Sequence, residues 1–237
     1  MINPWLPERH RILEIIEETD MESTFVVEFN EPSIRHGQFF QISLPKIGEA
    51  PISVSNFTDS TIEFTIRKVG TLTNVLFDLH AGDDLYIRGP YGNGFPLEDF
   101  KGKHIIVIAG GTGVSPVRST LNHYLNNPQD CKDVYAIAGF RDAQHVLFEN
   151  DLTKWRNAPH FHTTLTLDQG ERVGFQEGFA MKYVKDIPFQ DFQNDYAVII
   201  VGPPVMMKFT AQECMKYGVT EDHIYVSFER KMSCALG

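Results

Sequence analysis

The chain of 237 residues is 42% hydrophobic and 12% aromatic, enough apolar material for one large or two medium domains. Its 21 Lys and Arg stand against 31 Asp and Glu, and the resulting formal charge of −10 repels phosphate backbones and anionic lipid, which argues against nucleic-acid and membrane-surface roles. No apolar run reaches the ~20 residues that a membrane span requires, so a soluble, cytoplasmic protein is expected.

The opening Met1-Ile2-Asn3-Pro4-Trp5 lacks the basic-then-apolar layout of a secretory leader. From Arg11 to about Pro90 short β-rich runs follow: residues 11–16, 24–29, 38–44, 52–55, 61–67 and 84–88. Six such strands between turn residues predict an antiparallel barrel or sandwich. Between the last two, Thr73 to Gly82 has apolar residues at helical spacing, with Thr73 placed to cap and a glycine near the end.

After Lys101-Gly102-Lys103 the pattern changes. Continuous apolar runs at 104–109, 134–138, 163–167, 196–201 and 224–228 alternate with helical segments at 116–124, 148–155 and 205–217. Runs this apolar are buried on both faces, and the alternation predicts a parallel sheet with crossover helices. The boundary is expected near Phe100, giving domains 1–99 and 100–228, with 229–237 as a separate ending.

The sharpest local pattern is Ala109-Gly110-Gly111-Thr112-Gly113-Val114-Ser115-Pro116, between the first apolar strand and its helix. Glycines let the backbone turn tightly and approach a ligand, and amides at a helix start attract a pyrophosphate. The spacing lacks the third glycine of the common dinucleotide fingerprint, so a tight turn without a ligand is the competing reading. Val201-Gly202-Pro203-Pro204 follows the fourth strand on the same sheet edge. In the first half, Arg67-Lys68-Val69-Gly70-Thr71-Leu72-Thr73 closes a strand and opens a helix, a second place able to hold phosphate; an ordinary capped helix is its alternative. Gly89-Pro90-Tyr91-Gly92-Asn93-Gly94-Phe95 is either an interdomain turn or part of a site. Two phosphate-grade sites suggest two nucleotides meeting in a cleft.

These motifs, together with Ala50-Pro51-Ile52-Ser53-Val54-Ser55, Gly139-Phe140-Arg141-Asp142, Gly202-Pro203-Pro204-Val205-Met206 and Glu229-Arg230-Lys231-Met232-Ser233-Cys234, occur in an order that resembles the ferredoxin-NADP reductase superfamily. The resemblance spans essentially the whole chain. It is nearest to the electron-transfer subunits of dihydroorotate dehydrogenase, cytoplasmic nickel-iron hydrogenases and anaerobic sulfite reductase. It implies an N-terminal antiparallel Greek-key β-barrel that binds FAD, followed by a parallel-sheet NAD(P)-binding domain. Pro51, Ile52, Ser53 and Val54 would contact the flavin, with Ile52 covering a ring face. Arg67, Val69, Gly70, Thr71 and Thr73 would hold the ribityl-pyrophosphate, and Ile66, Gly94 and Glu229 are further contact positions. The nicotinamide nucleotide would lie on Gly110, Gly111, Thr112, Gly113 and Pro116, with Arg141 and Asp142 near its adenosine. Gly202, Pro203, Pro204 and Met206 would stand near the nicotinamide. NADH is mildly favoured over NADPH because Asp142 would repel a 2′-phosphate, although Arg141 beside it points the other way. No side-chain acid, base or nucleophile is required.

Two departures stand out. The arginine that opens the family's flavin motif is Ala50 here, so one charge-assisted contact is missing, and Arg67 is expected to supply that charge. The family's ending carries four cysteines that ligate a [2Fe-2S] cluster; here Cys234 is the first of them, and Ala235 replaces a glycine. Cys131 and Cys214 lie elsewhere and are expected to be inert thiols, so three further cysteines are expected beyond Gly237. Scattered histidines such as His104, His160 and His162 show no metal-ligand spacing and are expected to be structural or exposed. The opening Asn3-Pro4-Trp5-Leu6-Pro7 and the ending Glu229-Arg230-Lys231-Met232-Ser233-Cys234 resemble the sulfite reductase and hydrogenase subunits more than the dihydroorotate dehydrogenase type, and a sulfite reductase partner subunit is the preferred expectation, with hydrogenase and dihydroorotate dehydrogenase as alternatives. A stand-alone flavin reductase and a regulatory module that lost its flavin are the rival readings.

Overall fold

The structure is a computed structural model that describes residues 6–30 and 34–227. Glu229, Cys234 and the expected ending 229–237 lie outside the described residues. Two compact units divide between Phe95 and Pro96.

In the first unit, β1 (Glu8–Glu17), β2 (Glu22–Glu28), β3 (Phe39–Leu44), β4 (Gly48–Phe57), β5 (Thr61–Arg67) and β6 (Asp84–Tyr91) form a closed barrel in the order β1-β2-β5-β4-β3-β6. Neighbouring strands are antiparallel throughout. Of the two expected architectures, the closed barrel is the one formed. Strand alternation builds it: in β5, Ile62, Phe64 and Ile66 enter the core while the residues between them stay partly exposed. Phe25, Phe40, Ile42, Val54 and Ile87 fill the same core.

The helix of this unit, α1, covers Thr71–Leu76, shorter and earlier than the expected Thr73–Gly82. Thr73 is not its cap. Gly70 is, and the Thr73 hydroxyl, inside the first turn, accepts the amides of Val69 and Gly70 at 2.9 Å each and donates to the Gly70 carbonyl. That side-chain loop closure starts the helix two residues sooner. Beyond Leu76 the chain runs in turns, with the His80 amide taken by Asp83 Oδ2 at 2.7 Å.

In the second unit, β7 (His104–Gly110), β8 (Val134–Phe140), β9 (Phe161–Leu167), β10 (Gln176–Glu177), β11 (Tyr196–Val201) and β12 (Ile224–Val226) form one sheet in the order β10-β9-β8-β7-β11-β12. All pairs are parallel. The helices α2 (Val114–Asn126), α3 (Glu149–Asn157) and α4 (Pro204–Lys216) follow β7, β8 and β11. The sheet grows outward from β7 to β10 and then returns to β11, so the topological switch point lies between β7 and β11. The crossover into β11 is not an α-helix: two 3₁₀ turns, Ala180–Asp186 and Phe189–Phe192, bury Val184, Phe189 and Phe192 against the sheet. The 3₁₀ turn Leu97–Phe100 belongs to this unit because the fully buried Phe100 ring packs edge-on to Tyr225 of β12, centroids 4.7 Å apart. Among the described residues no helix is long and apolar enough to cross a membrane.

Candidate functional site

At the switch point β7 ends in Gly110, and one 3₁₀ turn, Gly111–Gly113, leads straight into α2. Gly111 has φ +56, and a Cβ there would meet nothing within 4 Å, so this side of the turn is open. Gly113 is glycine for the opposite reason. A Cβ on it would stand 2.5 Å from the Val201 carbonyl oxygen and 2.7 Å from Gly202 Cα, so no larger residue fits against the end of β11. Met206 Sδ lies 3.2 Å and 2.8 Å from the Cβ positions of Gly110 and Gly202, joining the two glycine loops through one thioether. Pro203 and Pro204 are exposed at the start of α4, and Pro116 is buried in the first turn of α2.

The row continues sideways along the strand ends. Gly110 pairs with Gly139, and Gly139 with Thr166. Ala180 Cβ and Thr166 Oγ1, each 3.0 Å from the Cβ position of Gly139, leave no room for a side chain there. Thr166 Oγ1 itself is buried without a hydrogen-bond partner among the described residues. A glycine-rich strand edge that is open at Gly111, with a buried hydroxyl and the start of a helix beside it, fits a flat dinucleotide with a pyrophosphate.

Arg141 and Asp142 directly follow β8. Asp142 Oδ1 accepts the Gln144 amide at 2.9 Å and lies 2.7 Å from His145 Nδ1, while Oδ2 stands 3.8 Å from Arg141 Nε. The hydrogen bond with His145, above all, holds this carboxyl below its ordinary range. Asp142 therefore shapes its own turn with one oxygen and faces Arg141 with the other. Sequence reasoning missed Asp168 and Lys182 beside them. The Asp168 amide donates to Phe140 O and the Gln169 amide to Arg141 O, both at 2.9 Å, stitching the ends of β8 and β9. Partial burial pushes the Asp168 carboxyl up, and Lys182 opposes the shift. A cleft of about 590 Å³ adjoins them, lined by Leu167, Gly170, Arg172, Phe175 and Glu177. The signal that could have found Asp168 is its place directly after the third apolar run, on the edge where such sheets bind ligands.

In the barrel unit, Arg67 to Thr73 form one continuous stretch. Val69 is 71% exposed, and a Cβ on Gly70 would meet nothing within 4 Å, so this loop stands open. The amides of Thr71, Leu72 and Thr73 precede the first helical bond, which Asn74 gives to Gly70. On β4, Ala50, Ile52 and Val54 turn to the barrel core and Pro51 and Ser53, opposite Gln41 and Phe39, to the outer face, with Pro51, Ile52 and Ser53 all half-buried. Ile66 is buried in the core. Gly94 has φ +69, and a Cβ there would be 2.7 Å from the His36 carbonyl oxygen, so packing of the His36 turn accounts for this glycine.

Cys131 and Cys214 are buried free thiols, pushed up by burial to about 11 and about 12, and thus held protonated. His160 Nε2 meets the Tyr124 carbonyl and His104 stacks on Phe192 at 4.2 Å. Among the described residues no group of three His, Cys, Asp or Glu is placed to hold a metal.

Residues 107–212, from β7 into α4, match the oxidoreductase NAD-binding domain family. Along its whole length the chain is 32% identical to the sulfhydrogenase 2 subunit gamma of Pyrococcus furiosus and covers 88% of that protein. It is 30% identical, across 96% of its own length and 79% of the other, to the probable dihydroorotate dehydrogenase B (NAD(+)) electron transfer subunit of Methanocaldococcus jannaschii. Among solved structures, a ferredoxin NADP+ reductase from Neisseria gonorrhoeae with bound FAD and NADP aligns with a TM-score of 0.79, at 18% identity, over 93% of this chain and 97% of the other. The cytochrome b5 reductase domain of Ulva prolifera nitrate reductase aligns with a TM-score of 0.78, at 18% identity, over 96% and 99%. At these identities the two structures establish the fold.

Proposed function

Because the chain belongs to the ferredoxin-NADP reductase superfamily, among its electron-transfer subunits, we propose that it oxidises NAD(P)H with a bound FAD and hands single electrons to a catalytic partner subunit. When bound, the nicotinamide supplies a two-electron donor and the flavin converts that pair to single electrons. The protein's own part is to bind and orient. The observation that carries the reading is the pair of abutting glycine loops, Gly110–Gly113 and Gly202–Met206, at the switch point of a parallel sheet.

In this reading Gly110, Gly111, Thr112 and Gly113 carry the nicotinamide nucleotide, with Gly202 to Met206 beside the nicotinamide and Pro116 fixing the first turn of α2. Arg141, Asp142 and Asp168 flank the adenosine. The Asp142 carboxylate, kept charged by His145, disfavours a 2′-phosphate and so favours NADH. Arg67, Val69, Gly70 and Thr71 receive the FAD pyrophosphate in the open loop after β5, and Thr73 shapes that loop. Pro51, Ser53 and the half-buried Ile52 border the flavin, Val54 and Ile66 support them from the core, and Gly94 and Glu229 complete the contacts.

Cys234 would give one thiolate to a [2Fe-2S] cluster, whose chemistry would be one-electron transfer to the partner. A four-thiolate site needs three more. Cys131 and Cys214, buried and protonated in the second unit, do not supply them. The preferred partner is an anaerobic sulfite reductase catalytic subunit, with hydrogenase and dihydroorotate dehydrogenase subunits as alternatives. The test is co-purification of the full-length protein from its source under anaerobic conditions, with an assay of the complex. NADH-dependent sulfite reduction is expected. NADH-linked hydrogen or dihydroorotate turnover would move the assignment to the corresponding partner.

A further inference from the structure

Glu22 and Arg67 stand directly opposite each other across β2 and β5, with Arg67 Nε 3.2 Å from Glu22 Oε1. The carboxylate is 3% exposed and the guanidinium 41%. A buried carboxylate is costly unless it is paired and hydrogen-bonded, so Glu22 is not an ordinary solvated strand residue. Its second oxygen takes the Thr19 hydroxyl. That same hydroxyl oxygen accepts the amides of Met21 and Glu22 at 3.1 Å each, and the Lys68 amide donates to the Met21 carbonyl at 2.8 Å. The turn between β1 and β2 is thus tied both to the carboxylate and to the residue after Arg67.

The closest approach of the ion pair is made by Nε. Among the described residues Arg67 makes no ion pair with an acid other than Glu22, whereas other cations of this unit are engaged elsewhere. Arg9 and Arg11 face Asp84, Arg88 is held by Glu49 and the Tyr91 hydroxyl, and Lys68 lies over the Phe77 ring. The guanidinium held from behind by Glu22 is therefore the one that leads directly into the open loop at Val69 and Gly70.

We propose that Glu22 is a positioning residue: it fixes Arg67 so that the Nη fork is presented to the FAD pyrophosphate. The proposal rests on the reading that the loop after β5 receives that pyrophosphate. A planar fork fixed at one end gives two parallel charge-assisted bonds with little further ordering, which a flexible cation cannot match.

The test is FAD titration into the flavin-stripped full chain, with the melting temperature of each flavin-free variant recorded alongside. Arg67→Ala is expected to weaken FAD by about 10- to 100-fold, the range of one or two charge-assisted bonds. Glu22→Gln is expected to weaken it by about tenfold in the native background and to have no further effect in the Arg67→Ala background. Arg67→Lys, which keeps the charge but not the fork, should behave like Arg67→Ala. Equal losses from Glu22→Gln in both backgrounds would show that Glu22 acts through the fold alone. Should Glu22→Gln fail to fold, Arg67→Lys decides, since native affinity there would mean that a fixed fork is not needed. Gly70→Val separates the two levels. FAD retained by Gly70→Val overturns the placement of the pyrophosphate, whereas FAD lost by Gly70→Val and kept by Arg67→Ala overturns this proposal alone.

Discussion

Gly113 sits so tightly against the end of β11 that a Cβ on it would stand 2.5 Å from the carbonyl oxygen of Val201. The first glycine loop is therefore shaped by the second, and a substitution at one should damage both. Gly113→Ala is expected to destabilise the protein by about 1–3 kcal/mol through overpacking and to raise the KM for NADH with FAD content unchanged. A thermal melt and steady-state kinetics with an artificial electron acceptor check this; a normal KM would detach the loop from nucleotide binding.

Gly70 is the contrasting case, because its Cβ position meets only open space. Gly70→Val should leave the melting temperature of the flavin-free protein within a few degrees, as a cap change of under about 1 kcal/mol would, yet lower FAD occupancy sharply. Thr73→Ala should also lower it, by releasing the amides of Val69 and Gly70. FAD per chain, measured after gel filtration, is the readout.

Asp142 is held ionised by His145, the Gln144 amide and Arg141. Asp142→Asn should therefore improve kcat/KM for NADPH relative to NADH by about tenfold, and this ratio should be flat across neutral pH. A native preference for NADPH, lost in Arg141→Ala, would reverse the assignment.

Burial pushes the His104 imidazole below its ordinary value, with Asp133 and Asp195 opposing the shift and Lys132 and His162 reinforcing it. The folded state thus favours the neutral ring, and the stability it adds is present above the unfolded pKa and lost as pH falls through the lower folded value. Melting temperature should drop between about pH 7 and pH 5, and His104→Gln should flatten that part of the profile. An unchanged profile would show that other groups govern it.

The barrel and the parallel sheet were legible because their core residues repeat at the right periods, as Ile62, Phe64 and Ile66 do in β5 and the unbroken run 105–109 does in β7. The crossover into β11 was not, because its 3₁₀ turns around Pro188 have no steady apolar period. Thr73 was legible as a helix-start residue but not as a hydroxyl that closes the loop from inside, since both roles suit the same residue type. Glu22 reads as a surface acid in any alternation pattern, and only the pairing of β2 with β5 reveals it as buried. Asp168 lacks a glycine motif to flag it, and only its place directly after the third apolar run, whose strand β9 lies beside β8, marks it.

The central claim is that one chain binds both FAD and a nicotinamide nucleotide and moves electrons between them. The most direct test is an anaerobic titration of the purified, FAD-loaded chain with NADH, following the flavin absorbance. The account predicts about one FAD per chain and complete bleaching by about one equivalent of NADH, as a two-electron transfer requires. A chain that binds no FAD, or whose bound FAD stays oxidised in excess NADH and NADPH, would contradict it.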